Sequence, residues 1–196
     1  MIKSTAKLIS VVFEPYTVAT VTTLLVFFKV QAATESKLVW LGIGFLVGAL
    51  PPLIILIYEK SKGKISDWFM SSRAERRDVQ LAWVFGAAIF TSLALVYGLP
   101  RLILALSLSF FTLSFLVTAI NFYWKISVHT AMISLAVLAL VLTYSSLLAG
   151  AVLLILLVAW ARVQLGAHTW SQVSGGALVA ILIVYFWFNF FGLATF

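Results

Sequence analysis

Apolar runs follow one another along this chain with hardly any polar sequence between them, at about residues 8–30, 38–58, 80–99, 102–123, 129–148, 148–165 and 169–191. A helix needs about 20 largely apolar residues to cross about 30 Å of hydrocarbon at about 1.5 Å rise per residue. Hydrophobic residues make up 63% of the chain and charged residues 10%, with a mean hydropathy of +1.14. Soluble domains carry about 45–50% apolar and about 25% charged residues. A soluble chain this apolar has too few polar side chains to cover its own surface, so lipid has to be the solvent for much of it. A removable secretory signal does not account for the pattern, because the apolar runs continue to the last residue. The expectation is an all-α polytopic transmembrane helix bundle forming a single domain over residues 1–196, with about seven spans, six being the alternative count.

The few interruptions carry information. The stretch 129–165 is too long for one ordinary helix, and Tyr144, Ser145, Ser146 and Gly150 are its only polar or flexible punctuation, which predicts a tight hairpin there. Gly98-Leu99-Pro100-Arg101 predicts a turn, since proline cannot continue the preceding helix. The one long polar segment runs from Glu59 to Gln80 and holds Lys60, Lys62, Lys64, Arg73, Arg76 and Arg77 among four acids. Ser72 followed by Glu75 predicts a short capped helix within it, and Trp68, Phe69 and Met70 suit an interfacial position.

The absence of cysteine excludes disulfides and thiolate metal sites. The net charge of +7 points to membrane orientation and to anionic headgroups or phosphates, not to nucleic acid. With seven spans, Lys3, Lys7, the six cations of the polar loop, Lys125 and Arg162 share one side, leaving only Lys29, Lys37 and Arg101 of the 13 opposite. The positive-inside rule then puts the 59–80 loop and the amino terminus in the cytoplasm and the carboxyl terminus outside.

Both histidines stand at the mouths of spans on that same side. His129 closes the segment Lys125-Ile126-Ser127-Val128-His129, and His168 follows Arg162 by six positions, with Gln172 just beyond. Lys125, Ser127, His129, Arg162 and His168 therefore converge on one face of the bundle, toward the loop with Arg73, Arg76 and Arg77. Arginine and lysine neutralise a phosphate and bind its oxygens. Two imidazoles supply a nucleophile and a general acid for ester cleavage. Taken singly, an interfacial histidine binds a carbonyl or a headgroup, and a terminal lysine or arginine snorkels. The full set on one side favours function, because ionisable groups at helix mouths are costly.

This arrangement resembles the phosphatidic-acid-phosphatase type 2 superfamily of membrane lipid phosphatases and phosphotransferases, over roughly the carboxyl-terminal half of the chain. Its second motif, Pro-Ser-Gly-His, matches Ile126-Ser127-Val128-His129 at the serine and the histidine. Its third, Ser-Arg followed by five residues, His, three residues and Asp, matches Ala161-Arg162, His168 and Gln172 at the arginine and the histidine, with the spacing intact. The first motif, a lysine followed six residues later by Arg-Pro, has no match in the 59–80 loop; Arg73, Arg76 and Arg77 of that loop, or Lys125 outside it, are the residues that can stand in its place. The resemblance implies that His168 attacks phosphorus and His129 protonates the leaving group. Arg162, Ser127, Lys125 and the loop arginines then hold the phosphoryl oxygens.

Gln172 takes the position of the acid that orients the nucleophile, and Asp67 is a substitute delivered by the loop. The family's chemistry needs no metal or other cofactor, and two histidines with scattered acids fall short of a ligand set. The implied substrate is an amphiphile entering sideways from the bilayer, an isoprenyl phosphate or diphosphate or a phosphatidate-like lipid. Two other classes compete. A lipid or phosphate transporter is favoured by Glu14-Pro15 early in the first span, and opposed by the lack of a repeat and of mid-span charges. A catalytically inactive phospholipid-binding relative is favoured by Gln172, since an amide cannot stabilise an imidazolium as a carboxylate does.

Overall fold

The structure, a computed structural model, describes residues 1–31, 33–66, 70, 72–145 and 150–194, the side chain of Arg73 excepted. Among these residues the secondary structure is helical throughout: α1 (Ile2–Val12), α2 (Pro15–Lys29), α3 (Thr34–Gly44), a π-helical turn (Phe45–Ala49), α4 (Leu50–Ser61), α5 (Arg73–Val96), α6 (Arg101–Asn121), α7 (Val128–Tyr144), α8 (Val152–Gln164) and α9 (Trp170–Phe190).

Proline causes two of the irregularities. Pro15 has no N–H to donate to the turn before it, so α1 stops and α2 starts afresh. The Glu14 carboxylate caps the new helix, accepting from the backbone N–H of Tyr16 at 3.0 Å and from that of Thr17. The axes of α1 and α2 differ by 44°. Glu14 is thus spent on a helix end, and the one sequence feature that favoured a transporter has a local structural use. Pro51 and Pro52 likewise remove two backbone donors, and the turn ahead of them widens to the π form over Phe45–Ala49. Thr34–Ser61 nonetheless runs through as one 28-residue rod.

Ser72 does act as a cap, its hydroxyl accepting from the Glu75 N–H at 3.4 Å. What it starts is not a short surface helix. Nothing between Arg77 and Phe85 breaks a helix, so the basic turns and the apolar run form the single 24-residue α5. The polar loop before it is pinned back by Lys60 Nζ donating to the Ser66 carbonyl at 2.7 Å and by the Ser66 hydroxyl donating to Glu75 at 2.9 Å. Asp67, Trp68, Phe69 and Ser146 lie outside the described residues.

Among the described residues, four helices are long and apolar enough to cross a membrane: Thr34–Ser61, Ala74–Val96, Arg101–Asn121 and Trp170–Phe190. The bent α1–α2 pair makes a fifth if it counts as one span. The helices follow the apolar runs in order, yet seven full crossings exceed what their lengths carry. α7 has 17 residues and α8 has 13, short of the ~20 a crossing needs. Four or five spans by length and composition is the construction of a membrane protein. Exposed Leu153 and Leu156 on α8, and Leu178, Leu182, Phe186 and Phe190 on α9, give it an apolar exterior suited to lipid.

α7 is the centre of the bundle. It packs against α9, α2, α8 and α6, and every residue from His129 to Val137 is buried except for slight edge exposure. A helix that is apolar all round is a buried helix, so His129 at its first turn sits inside the protein.

Candidate active site

Two helix-to-helix turns lie side by side and present the histidines. Ser127 caps α7, its hydroxyl accepting from the Thr130 N–H at 3.4 Å, while its own N–H donates to the Gln172 carbonyl of α9 at 3.3 Å. This close approach needs Gly176. A Cβ there would stand 2.6 Å from the Ser127 carbonyl oxygen and 2.9 Å from Thr130 Oγ1. At the other turn, Gly166 adopts φ +66°, a left-handed conformation natural to glycine past a helix end. The chain folds back so that the N–H groups of Ala167 and His168 donate to the Arg162 carbonyl at 3.1 and 3.3 Å. That turn, not the spacing alone, brings His168 back beside Arg162. Thr169 and Gln172 then form a reciprocal capping box that starts α9.

The groups gathered here are cationic and enclosed. Arg162 is 1% exposed, Arg76 4%, and His129 and His168 6% each. His168 feels the charges of Arg76, Arg162 and Lys125, and His129 feels Arg162, Arg76 and His168. Arg76 is fixed from two sides: its Nε donates to the Met70 carbonyl at 2.6 Å and its Nη1 to the Ile126 carbonyl at 3.4 Å. The loop is thereby fastened over the α6–α7 turn by the same guanidinium that charges the site.

Each imidazole has a defined holder. His168 Nδ1 lies 3.2 Å from Gln172 Oε1, which also accepts from the Thr169 N–H at 3.1 Å. An oxygen that is only an acceptor requires the proton on Nδ1, so the Nε2 lone pair of His168 is available for chemistry. Burial, then the charges of Arg76, Arg162 and Lys125, push His168 down to about 3 against the opposing Gln172 bond. It is therefore neutral, the form a nucleophile needs. The His129 ring hydrogen-bonds the backbone of Ser10, which brings α1 into the site.

Of the residues expected from the sequence, His129, His168, Arg162, Arg76, Lys125, Ser127 and Gln172 meet in this cluster. The Ser127 hydroxyl is engaged as a helix cap. Arg77 does not join them: it is exposed and its Nε donates to Asp78 at 2.9 Å. One residue of helix rotation separates it from Arg76 and turns it to solvent. Asp67 and the Arg73 side chain lie outside what the structure describes. Ser10 and the carbonyls of Met70 and Ile126 were not anticipated. Arg76 carried a readable signal, since Arg76, Gln80 and Trp83 share one helical face. Among the described residues, no three His, Cys, Asp or Glu side chains are grouped to hold a metal ion. No protein-family model, curated protein or solved structure matches this chain.

Proposed function

We propose that the protein is a membrane-embedded lipid phosphatase that works through a phosphohistidine, as the resemblance to the phosphatidic-acid-phosphatase type 2 superfamily implies. The observation that carries this reading is the enclosed pairing of a neutral, Gln172-held His168 with His129, Arg162 and Arg76. Two buried guanidiniums around two imidazoles suit one phosphoryl group: cations bind the equatorial oxygens as charge shifts in the transition state. His168 Nε2 attacks phosphorus, forming the P–N bond as the ester P–O bond breaks, and His129, which enters as the imidazolium that the bound phosphate's negative charge favours, hands its proton to the departing oxygen. Water then attacks the phosphohistidine with His129 taking its proton. The P–N bond breaks, and free phosphate and His168 are regenerated.

The same proposal sets the topology. The bent α1–α2 pair and the six further rods make seven crossings, with the 59–80 loop and the site on the cytoplasmic side, as the distribution of cations favours. The short α7 lies inside the bundle, buried from His129 to Val137 among its neighbouring helices.

Phosphate release from a panel of lipid phosphates by detergent-purified protein, with EDTA present, tests the chemistry. Activity should be full in EDTA and abolished by His168→Ala. With a substrate whose leaving group needs no proton, His129→Ala should slow only the second step and trap the phosphoryl group on His168 as an acid-labile phosphohistidine. Release that needs added magnesium, or that survives His168→Ala, refutes the mechanism.

A further inference from the structure

The exposed surface of α1 is split lengthwise into two edges. Lys3 and Lys7, one turn apart, form one row, and Leu8 and Val12, also one turn apart, form another. All four are exposed, Leu8 by 63% and Val12 by 51%. A third row, Ala6 and Ser10, is buried, and α1 packs on α8. Residues 1–13 include no acid, and among the described residues no carboxylate pairs with either lysine. A helix wholly in water gains nothing from exposing Leu8 and Val12, and one wholly in hydrocarbon would strand two ammonium groups. Both rows are satisfied at the boundary, the apolar one among acyl chains and the cationic one among headgroups. The unbalanced positive charge selects headgroups that are anionic.

The same helix ends inside the site. α1 stops at Val12, and the Glu14 N–H, which would reach the Ser10 carbonyl in a continuing helix, donates to the Val11 carbonyl at 3.4 Å. The Ser10 carbonyl is thus released from the helix, and the His129 ring takes it as a hydrogen-bond partner. At Pro15 the axis swings by 44°. α1 is therefore an arm: it rests on α8 along one side, joins α2 through a break, and carries at its inner end the group that orients His129.

We propose that α1 docks through Lys3, Lys7, Leu8 and Val12 on the anionic lipid surface of the leaflet at the level of the site, and that this docking holds the Ser10 carbonyl against His129. The coupling to turnover rests on the phosphatase reading, and the docking does not. Two lysines near such a surface bias the docked state about thirtyfold, which caps the effect on rate. The experiment compares nanodiscs of phosphatidylcholine alone with nanodiscs containing phosphatidylglycerol. Because the chain has no cysteine, Leu8→Cys supplies a single thiol for a nitroxide, which should become less mobile and more deeply immersed when the anionic lipid is present. Over the same change, kcat for a short-chain alkyl phosphate should rise about tenfold. Turnover of p-nitrophenyl phosphate should hardly change, because its leaving group needs no acid. Replacing Lys3 and Lys7 together by glutamate should remove both responses. Lys62→Glu, which changes a loop cation lying over the Tyr58 ring, should leave both intact. A label indifferent to anionic lipid, responses that survive the double replacement, or an equal loss in Lys62→Glu overturns the docking and leaves the phosphatase reading standing. A label that responds while kcat does not overturns the coupling to His129. A responding label with no phosphate release from any lipid supports the docking and sinks the phosphatase reading instead.

Discussion

Arg76 and Arg77 are neighbours in sequence, one buried and one exposed, so replacing each by alanine tests whether the proposed catalysis draws on the buried charge alone. Arg76 is 4% exposed, holds the Met70 and Ile126 carbonyls, and puts its charge beside both histidines. Removing one preorganised donor from developing transition-state charge costs about 10²–10³ in kcat, or about 3–4 kcal/mol. Arg76→Ala should fall in that range. Arg77 is exposed and pairs with Asp78 on the surface, and such pairs contribute so little that Arg77→Ala should stay within about twofold of the parent. Arg76→Lys should land between them, because one ammonium keeps the charge but cannot reproduce a fork reaching two carbonyls. Single-turnover phosphate release gives the rates, and thermal unfolding in the same detergent shows whether the fold survives. Parental kcat in Arg76→Ala would show that this loop cation serves orientation alone, and an equal loss in Arg77→Ala with unchanged unfolding would refute the division between the two.

Since the chain has two histidines, the His129→Gln variant leaves a single imidazole signal, and its ¹⁵N shifts should remain those of neutral, Nδ1-protonated His168 at pH 5; a midpoint near 6.5 refutes the buried cationic setting. With the folded value at about 3 and the unfolded one at about 6.5, the unfolded chain binds the extra proton between them. The stabilising contribution of neutral His168 is complete above about pH 6.5 and is lost toward pH 3, with a limiting slope of about 1.4 kcal/mol per pH unit in unfolding measurements. Gln172→Glu should move the His168 midpoint upward in the same titration, because a carboxylate at the 3.2 Å position favours the charged ring; an unmoved midpoint would mean that Gln172 does not hold His168. Gly176→Ala should cost about 1–3 kcal/mol through overpacking, since its Cβ meets the Ser127 carbonyl at 2.6 Å, whereas Gly42→Ala enters open space and should be harmless in thermal unfolding.

The parts of this molecule legible in its sequence are those fixed by local geometry. Apolar run length located the helices, and Ser72 marked the start of α5 through its own hydroxyl. Crossings were harder to count. Among the described residues α7 ends at Tyr144 with 17 residues and α8 runs from Val152 with 13. An apolar residue beyond a helix end looks the same in a one-dimensional scan as one in a span.

The site divides along the same line. Arg162 and His168 are joined by a turn only a few residues long, so their spacing survives as a readable pattern. Choosing Arg76 over Arg77 depends on which face of α5 looks inward, and that became readable only with α5 continuous from Arg73 through Gln80 and Trp83. Read as a short separate helix, the basic turns carry no link to the apolar face below them. Ser10 is illegible for a deeper reason. It serves His129 through its backbone, on a helix that reaches the site only because Pro15 breaks the chain and α1 packs against α8. Every residue has a carbonyl, so no side-chain pattern marks the one that a fold aims at an imidazole. What the sequence does mark is the bend that aims it, and that bend is written in Glu14 and Pro15.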